Sequence, residues 1–291
     1  MNILVLAAIG LAVVLPTVGF VLRRSLPYQK RPALHEASFG ALVFQIIRWP
    51  YRWPDSEVER IRRLMFANQT LGEISLSWNV SEPVATVARL ARNGNFQRAD
   101  EVASRLRAPD DPATVLLRAY VKQQLGQPDV ACEVLRPLAS RQDVEARLRL
   151  WAFAGLRELG EQPGPEVADE MLGLVVETEV DGGVDSLAMY PDGQVRLVLH
   201  NGHITFYDSS DARLRDLVAA VGAPAQAVYL DVPLAEPPSE KPRGDDFRFT
   251  FLTPAGSRSV TVDRRSFGQG SPYTELFLAT GALFKGLAAL T

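Results

Sequence analysis

Two of the chain's three histidines, His200 and His203, stand three positions apart in the stretch LVLHNGHITFYD. Histidine is both a common metal ligand and the proton carrier of neutral pH, so a close pair raises either chemistry. The residues between them decide the matter. Asn201-Gly202 is a strong hairpin signal, because a two-residue type I′ turn needs positive φ at both central positions. The two histidines then flank the turn and face each other, with facing Cβ atoms ~5 Å apart. A zinc site wants three or four ligands, and neither a third His nor a Cys lies near in sequence, while Asp208 lies at the far end of the strand. The reading is an exposed cross-strand pair, with no metal expected.

Other chemistry is sparse. The single cysteine, Cys132, sits beside Ala131 on a helical stretch, with nothing near it to activate a thiolate, and reads as a small packing residue. It cannot form an internal disulfide, which suits a reducing compartment. The sequence has no Gly-x-Ser-x-Gly elbow, Walker loop, dinucleotide fingerprint or His-Glu-x-x-His motif. GQGS at 268–271 precedes a helix and could cradle an anion, but without a lysine it reads as a loop. No catalytic, cofactor-binding or metal-ligating residue is assigned, and a non-enzyme is expected. A net charge of −3 and a pI near 5.7 lack the basic footprint of a nucleic-acid binder. Lysine occurs only at Lys30, Lys122, Lys241 and Lys285 against abundant arginine, a composition that suggests a GC-rich bacterial genome.

The elements that would carry function begin with an uncharged run of twenty residues, 3–22. A helix of about 20 such residues spans a hydrocarbon core of ~30 Å. A cleaved signal is the competing reading, but it wants a basic leader and a small-x-small site, whereas Arg23-Arg24 come directly after the run. Arg23, Arg24, Lys30 and Arg31 after the run place the N-terminus outside and the bulk of the chain in the cytoplasm. The expected location is therefore a bacterial inner membrane, single-pass. Residues 38–54 hold an apolar run too short to span, ending in Trp49, Tyr51 and Trp53 interleaved with Arg48 and Arg52. That mixture suits the headgroup region, the alternative being a buried helix and a proline turn.

From Asp55 to about Leu172 the pattern is helical, starting with Val58, Ile61, Leu64 and Met65 on one face. Gly94, Gly126 and Gly160 recur at spacings of 32 and 34, each closing one apolar-periodic helix and opening the next. With Ala99, Ala131 and Ala168 after the glycines and Pro109 or Pro112 beyond, residues 83–170 resemble the tetratricopeptide-type repeat. Leu90 and Ala119 depart from that pattern where larger residues are wanted. The resemblance implies an array of helical hairpins whose concave face takes a partner segment. The bland alternative is that the helices only brace the C-terminal domain.

Beyond Pro165 the period changes to that of strands. Residues 172–180, 184–190, 194–200 and 203–208 read as strands separated by DGG, PDG and NG turns, with Val195, Leu197, Leu199, Ile204 and Phe206 in alternation. The segment 182–208 resembles a strand–turn–strand module of uncharacterised bacterial proteins, which implies a sheet and no activity. A helix capped by Ser210, with Leu214, Leu217, Val218 and Val221 on one face, is succeeded by a strand in AQAVYLDV. The proline-rich loop 233–245 comes next; it reads as surface loop, an SH3-type ligand being the remote alternative. A hairpin around PAG and a helix from Pro272 to Leu290 close the chain.

These elements predict an α+β fold with an N-terminal transmembrane helix. An α–α hairpin array precedes an antiparallel sheet domain with two helices, in the order βββα twice. The divisions are 1–24 anchor, 25–54 interfacial segment, 55–172 helical repeat and 173–291 α+β domain. Function is expected to be that of a membrane-anchored adaptor or scaffold with a protein partner. The rival is a small-ligand sensor domain in the β-rich third.

Overall fold

A computed structural model describes residues 55–77, 82–106, 110–207, 212–235, 240–268 and 271–290. The helical half comprises α1 (Asp55–Met65), α2 (Leu71–Ser77), α3 (Glu82–Arg92), α4 (Phe96–Ala103), α5 (Pro112–Gln124), α6 (Pro128–Ser140), α7 (Ala146–Glu158) and the one-turn α8 (Pro165–Ala168). As the apolar spacing requires, α1 buries Val58, Ile61 and Met65. The three turn glycines adopt positive φ, 73° at Gly94, 71° at Gly126 and 90° at Gly160. After each, the next N–H reaches back to close the helix: Asn95 donates to Leu90, Gln127 to Lys122 and Glu161 to Leu156. This is the Schellman closure. A Cβ at any of the three would meet nothing within 4 Å, so handedness and not space calls for glycine. The start of α5 is fixed by Asp111, whose carboxylate accepts from the Thr114 N–H at 3.0 Å, with Pro112 at the first helical position.

The strands are β1 (Gly173–Val180), β2 (Gly183–Met189), β3 (Val195–Val198), β4 (Ile204–Tyr207), β5 (Asp246–Thr253) and β6 (Gly256–Asp263). They form one antiparallel sheet in the order β4-β3-β2-β1-β5-β6. Helices α9 (Ala212–Tyr229) and α10 (Pro272–Leu290) complete the fold. Among the described residues the expected repetition of βββα does not occur: four strands precede α9 and two lie between α9 and α10. The strand expected in AQAVYLDV is instead the last turns of α9. Leu214, Val218, Val221, Ala225 and Val228 are all buried at spacings of four and three, so the helical stripe continues through Pro224. The expectation that both helices share one sheet face holds. They pack there against Leu174, Leu187, Val195, Leu197, Phe247, Phe249 and Phe251.

The opposite sheet face carries the array. Val175, Ala188, Tyr190, Val198 and Leu252 share a core with Met65, Leu71, Ala152, Phe153 and Leu172. Polar contacts cross the same seam. The Tyr190 hydroxyl donates to the Met65 carbonyl at 2.7 Å, and Arg157 donates to the Pro254 carbonyl. Arg62 of α1 donates to the Val184 carbonyl at 2.7 Å and to Ser186 Oγ at 3.0 Å.

The expected fold class and location need correction. Among the described residues no helix is long and apolar enough to cross a membrane, which overturns the transmembrane part of the fold and the single-pass inner-membrane placement. The longest described helices, α9 with 18 residues and α10 with 19, turn their apolar faces onto the sheet. The run 3–22, the Trp49, Tyr51 and Trp53 cluster, Pro109, Asp208 and Ser210 lie outside the described residues.

Candidate functional site

The hairpin that carries the histidines is not the one expected. Gly202 N–H donates to the Leu199 carbonyl and Leu199 N–H to His203, leaving three loop residues, His200, Asn201 and Gly202. Only Gly202 among them has positive φ, 82°. A three-residue loop with a left-handed glycine is the bulged relative of the two-residue turn. His200 is therefore inside the loop and does not face His203. Its ring and backbone are drawn away to Asp185: Nδ1 lies 2.8 Å from Oδ1, and the backbone N–H donates to the same oxygen at 2.7 Å. The ring is only 13% exposed and packs over Gly183, where an added Cβ would come within 2.5 Å of His200 Cβ. His203 turns to Thr205, with Nε2 2.8 Å from Oγ1. The pair is thus neither exposed nor convergent. No group of three His, Cys, Asp or Glu that could hold a metal occurs among the described residues.

Register assembles a second polar group that sequence reading missed. Glu177 on β1 stands opposite Ser186 of β2 and Arg248 of β5. Glu177 Oε2 lies 3.4 Å from the Arg248 guanidinium, and both side chains are buried. Ser186 Oγ is 3.5 Å from Glu177 Oε1 and accepts from Arg62. Burial pushes the Glu177 carboxyl above its ordinary range, against the pull of Arg248 and Arg62. Burial also raises Asp185, opposed by the bonds from His200. Asp185 borders a void of about 20 Å³ with Thr178, Phe277 and Phe284, room for about one water. A signal existed in the sequence: Asp185 in VDSLAMY and Arg248 in DFRFTF are charges inside apolar strands, which are seldom buried unless partnered.

Cys132 lies against Glu161. Burial and that carboxylate both push its thiol up, away from nucleophilic character. GQGS is represented by its described ends, where Ser271 N–H and the Thr274 hydroxyl donate to the Gly268 carbonyl as a lead into α10.

Among the described residues, two concavities stand out as large enough to take a partner. One, of about 560 Å³, runs along α5 and α6. Val115, Val134, Pro137 and Leu138 form its floor, and Asp110, Arg118, Glu133, Arg141 and Asp143 its rim. Arg141 is engaged with Asp143 at 2.8 Å and with the Asp110 carbonyl at 3.0 Å. Glu133 acts on Arg136 only at longer range, the close partner of Arg136 being Glu161 at 2.7 Å, and Arg118 makes no ion pair with a described residue. Pro137, lacking an N–H, deprives the Glu133 carbonyl of its helical donor four residues on. The other concavity, of about 350 Å³, lies between α9 and the end of the sheet, over Leu174 and Met189.

No protein-family model matches the chain, and no curated protein or solved structure matches it either.

Proposed function

We propose that the chain is an adaptor whose helical array binds an extended segment of a protein partner. The observation that carries this reading is the groove of α5 and α6, an apolar floor under a rim with both signs of charge. Arg118 and Glu133 stand on that rim without a close ion-pair partner among the described residues, and Pro137 leaves a backbone acceptor beside them. Side-chain anchors on an apolar floor and polar groups at the margin suit a peptide in extended form. The repeat glycines, with their tetratricopeptide-like spacing, support the same partner class. The α+β domain braces the array through its shared core with the sheet. The reading is of a binding protein and not a catalyst, consistent with a Cys132 thiol raised by burial and a His200 ring engaged by Asp185.

The test is affinity purification of the full chain beside two variants, Arg118→Glu and Val134→Lys, with thermal melting as the control for folding. Val134 is partly buried at the groove and Arg118 lies one helix away. Proteins recovered with the wild type and lost from both folded variants are the expected result. An identical set of recovered proteins from all three would defeat the reading.

A further inference from the structure

The two helices on the same sheet face fill their halves very differently. Beneath α10, Phe277 and Phe284 leave a void of only about 20 Å³. Beside α9 an open-sided cavity of about 350 Å³ remains, where Ala219, Gly222 and Ala225 of that helix share its lining with Leu174 and Met189. Glycine within a helix costs about 1 kcal/mol relative to alanine. Gly222 is not excused by crowding, since a Cβ there would meet nothing within 4 Å, and its φ is not left-handed. The absence of a side chain at Gly222 leaves that wall of the cavity bare.

From this contrast we infer that the cavity between α9 and the β1–β2 end of the sheet is a binding site for a small, neutral, largely apolar molecule. The lining specifies the class. None of its twelve residues carries a charge, so nothing there compensates an anion or a cation on burial. The volume falls at the lower end of small-molecule sites, which are mostly apolar with few polar groups. Gln226 at the margin, exposed on α9, supplies one amide to orient a single hydrogen-bonding group. The Tyr190 hydroxyl does not contribute, because it is committed to Met65 on the opposite face. Met171 and Met189 border the space, and their unbranched thioethers adapt to varied shapes. The site is separate from the α5–α6 groove, and its occupation does not depend on a protein partner.

Methionine methyl labelling of the full-length chain gives a direct readout, since Met171 and Met189 line the cavity while Met65 is buried in the array core. Indole is the neutral probe and indole-3-acetate its anionic counterpart. Saturable shifts of the Met171 and Met189 methyl resonances with indole are expected, with Met65 unmoved and the anion at least tenfold weaker. Gly222→Leu fills the space and should abolish the shifts while raising or preserving Tm. If that variant fails to fold, Ala219→Leu on the adjoining exposed turn is read instead. Absence of shifts with indole, or shifts that survive in the folded filled variant, would overturn the site. Equal binding of the anion would overturn the ligand class.

Discussion

Glu177 is a carboxyl held in a sheet interior, and its protonation should be visible in the stability of the chain. Burial raises its pKa above the ordinary 4.5 despite Arg248 beside it. The folded chain therefore keeps this proton to a higher pH than the unfolded chain. The associated stability is fully present below the unfolded pKa and is lost as pH rises through the folded one. Glu177→Gln removes the titration, whatever constant offset it adds by leaving Arg248 uncompensated. The unfolding free energy of the wild type minus that of the variant should then fall as pH rises from about 4.5 and level off above the folded pKa. Urea titrations at a series of pH values measure this difference. A rising difference would mean that the attraction of Arg248 outweighs desolvation. The types of such residues were legible in the chain, but their company was not. His200 finds Asp185, fifteen positions away, only because the β1–β2 and β3–β4 turns come to the same end of the sheet.

Turns show a finer limit of local reading. DGG, PDG and NG were each recognisable as turns, PDG at its observed length of three residues, while the lengths of the other two were exchanged. The two-residue turn with positive φ at both positions is Asp181-Gly182, at 51° and 77°. Pro191-Asp192-Gly193 and His200-Asn201-Gly202 are three-residue loops of one design, with φ 82° at each glycine. Dipeptide identity does not choose between these lengths; register does, and the register of β3 with β4 is set by burying Val195 and Leu197 on the helix side of the sheet. Valine at position 202 must adopt a left-handed backbone that a β-branched residue resists, at a cost of about 1–2 kcal/mol or more. Asn201→Ala, by contrast, needs no positive φ and loses only the bond that Asn201 Oδ1 accepts from the His203 N–H. Denaturant melts should rank Gly202→Val as clearly the more damaging. Equal losses would favour a two-residue turn with both positions left-handed. Helices were read more securely than strands because a stripe at 3.6 residues carries its own evidence, except where α9 outran the expected strand.

The helical array and the sheet were separable in sequence near Leu172, where the periodicity changes, but that boundary is not an energetic one. Leu172 and Val175 lie on either side of it and belong to the same core. Tyr190 is the clearest link. Its ring is fully buried from the sheet side, where Gly173 leaves it room, and its hydroxyl donates to the last residue of α1. If the halves were independent bodies, Tyr190→Ala would weaken only the sheet. In a shared core the same change leaves a cavity between the layers and an unpaired Met65 carbonyl, with a loss of about 3–5 kcal/mol for an aromatic truncation. Amide exchange of the full chain separates the two outcomes, because protection reports the free energy of the opening that exposes each amide. Protection in β2 and in α7 should fall by equal amounts, since α7 contributes Ala152 and Phe153 to that core. Tyr190→Phe keeps the ring and loses only the donor, and should cost about 1 kcal/mol in both places. Loss confined to β2, with α7 unchanged, would mean that the array stands without the sheet. Equal loss would make the sheet part of the array's folding unit, so that the α5–α6 groove is presented only when the α+β half is folded.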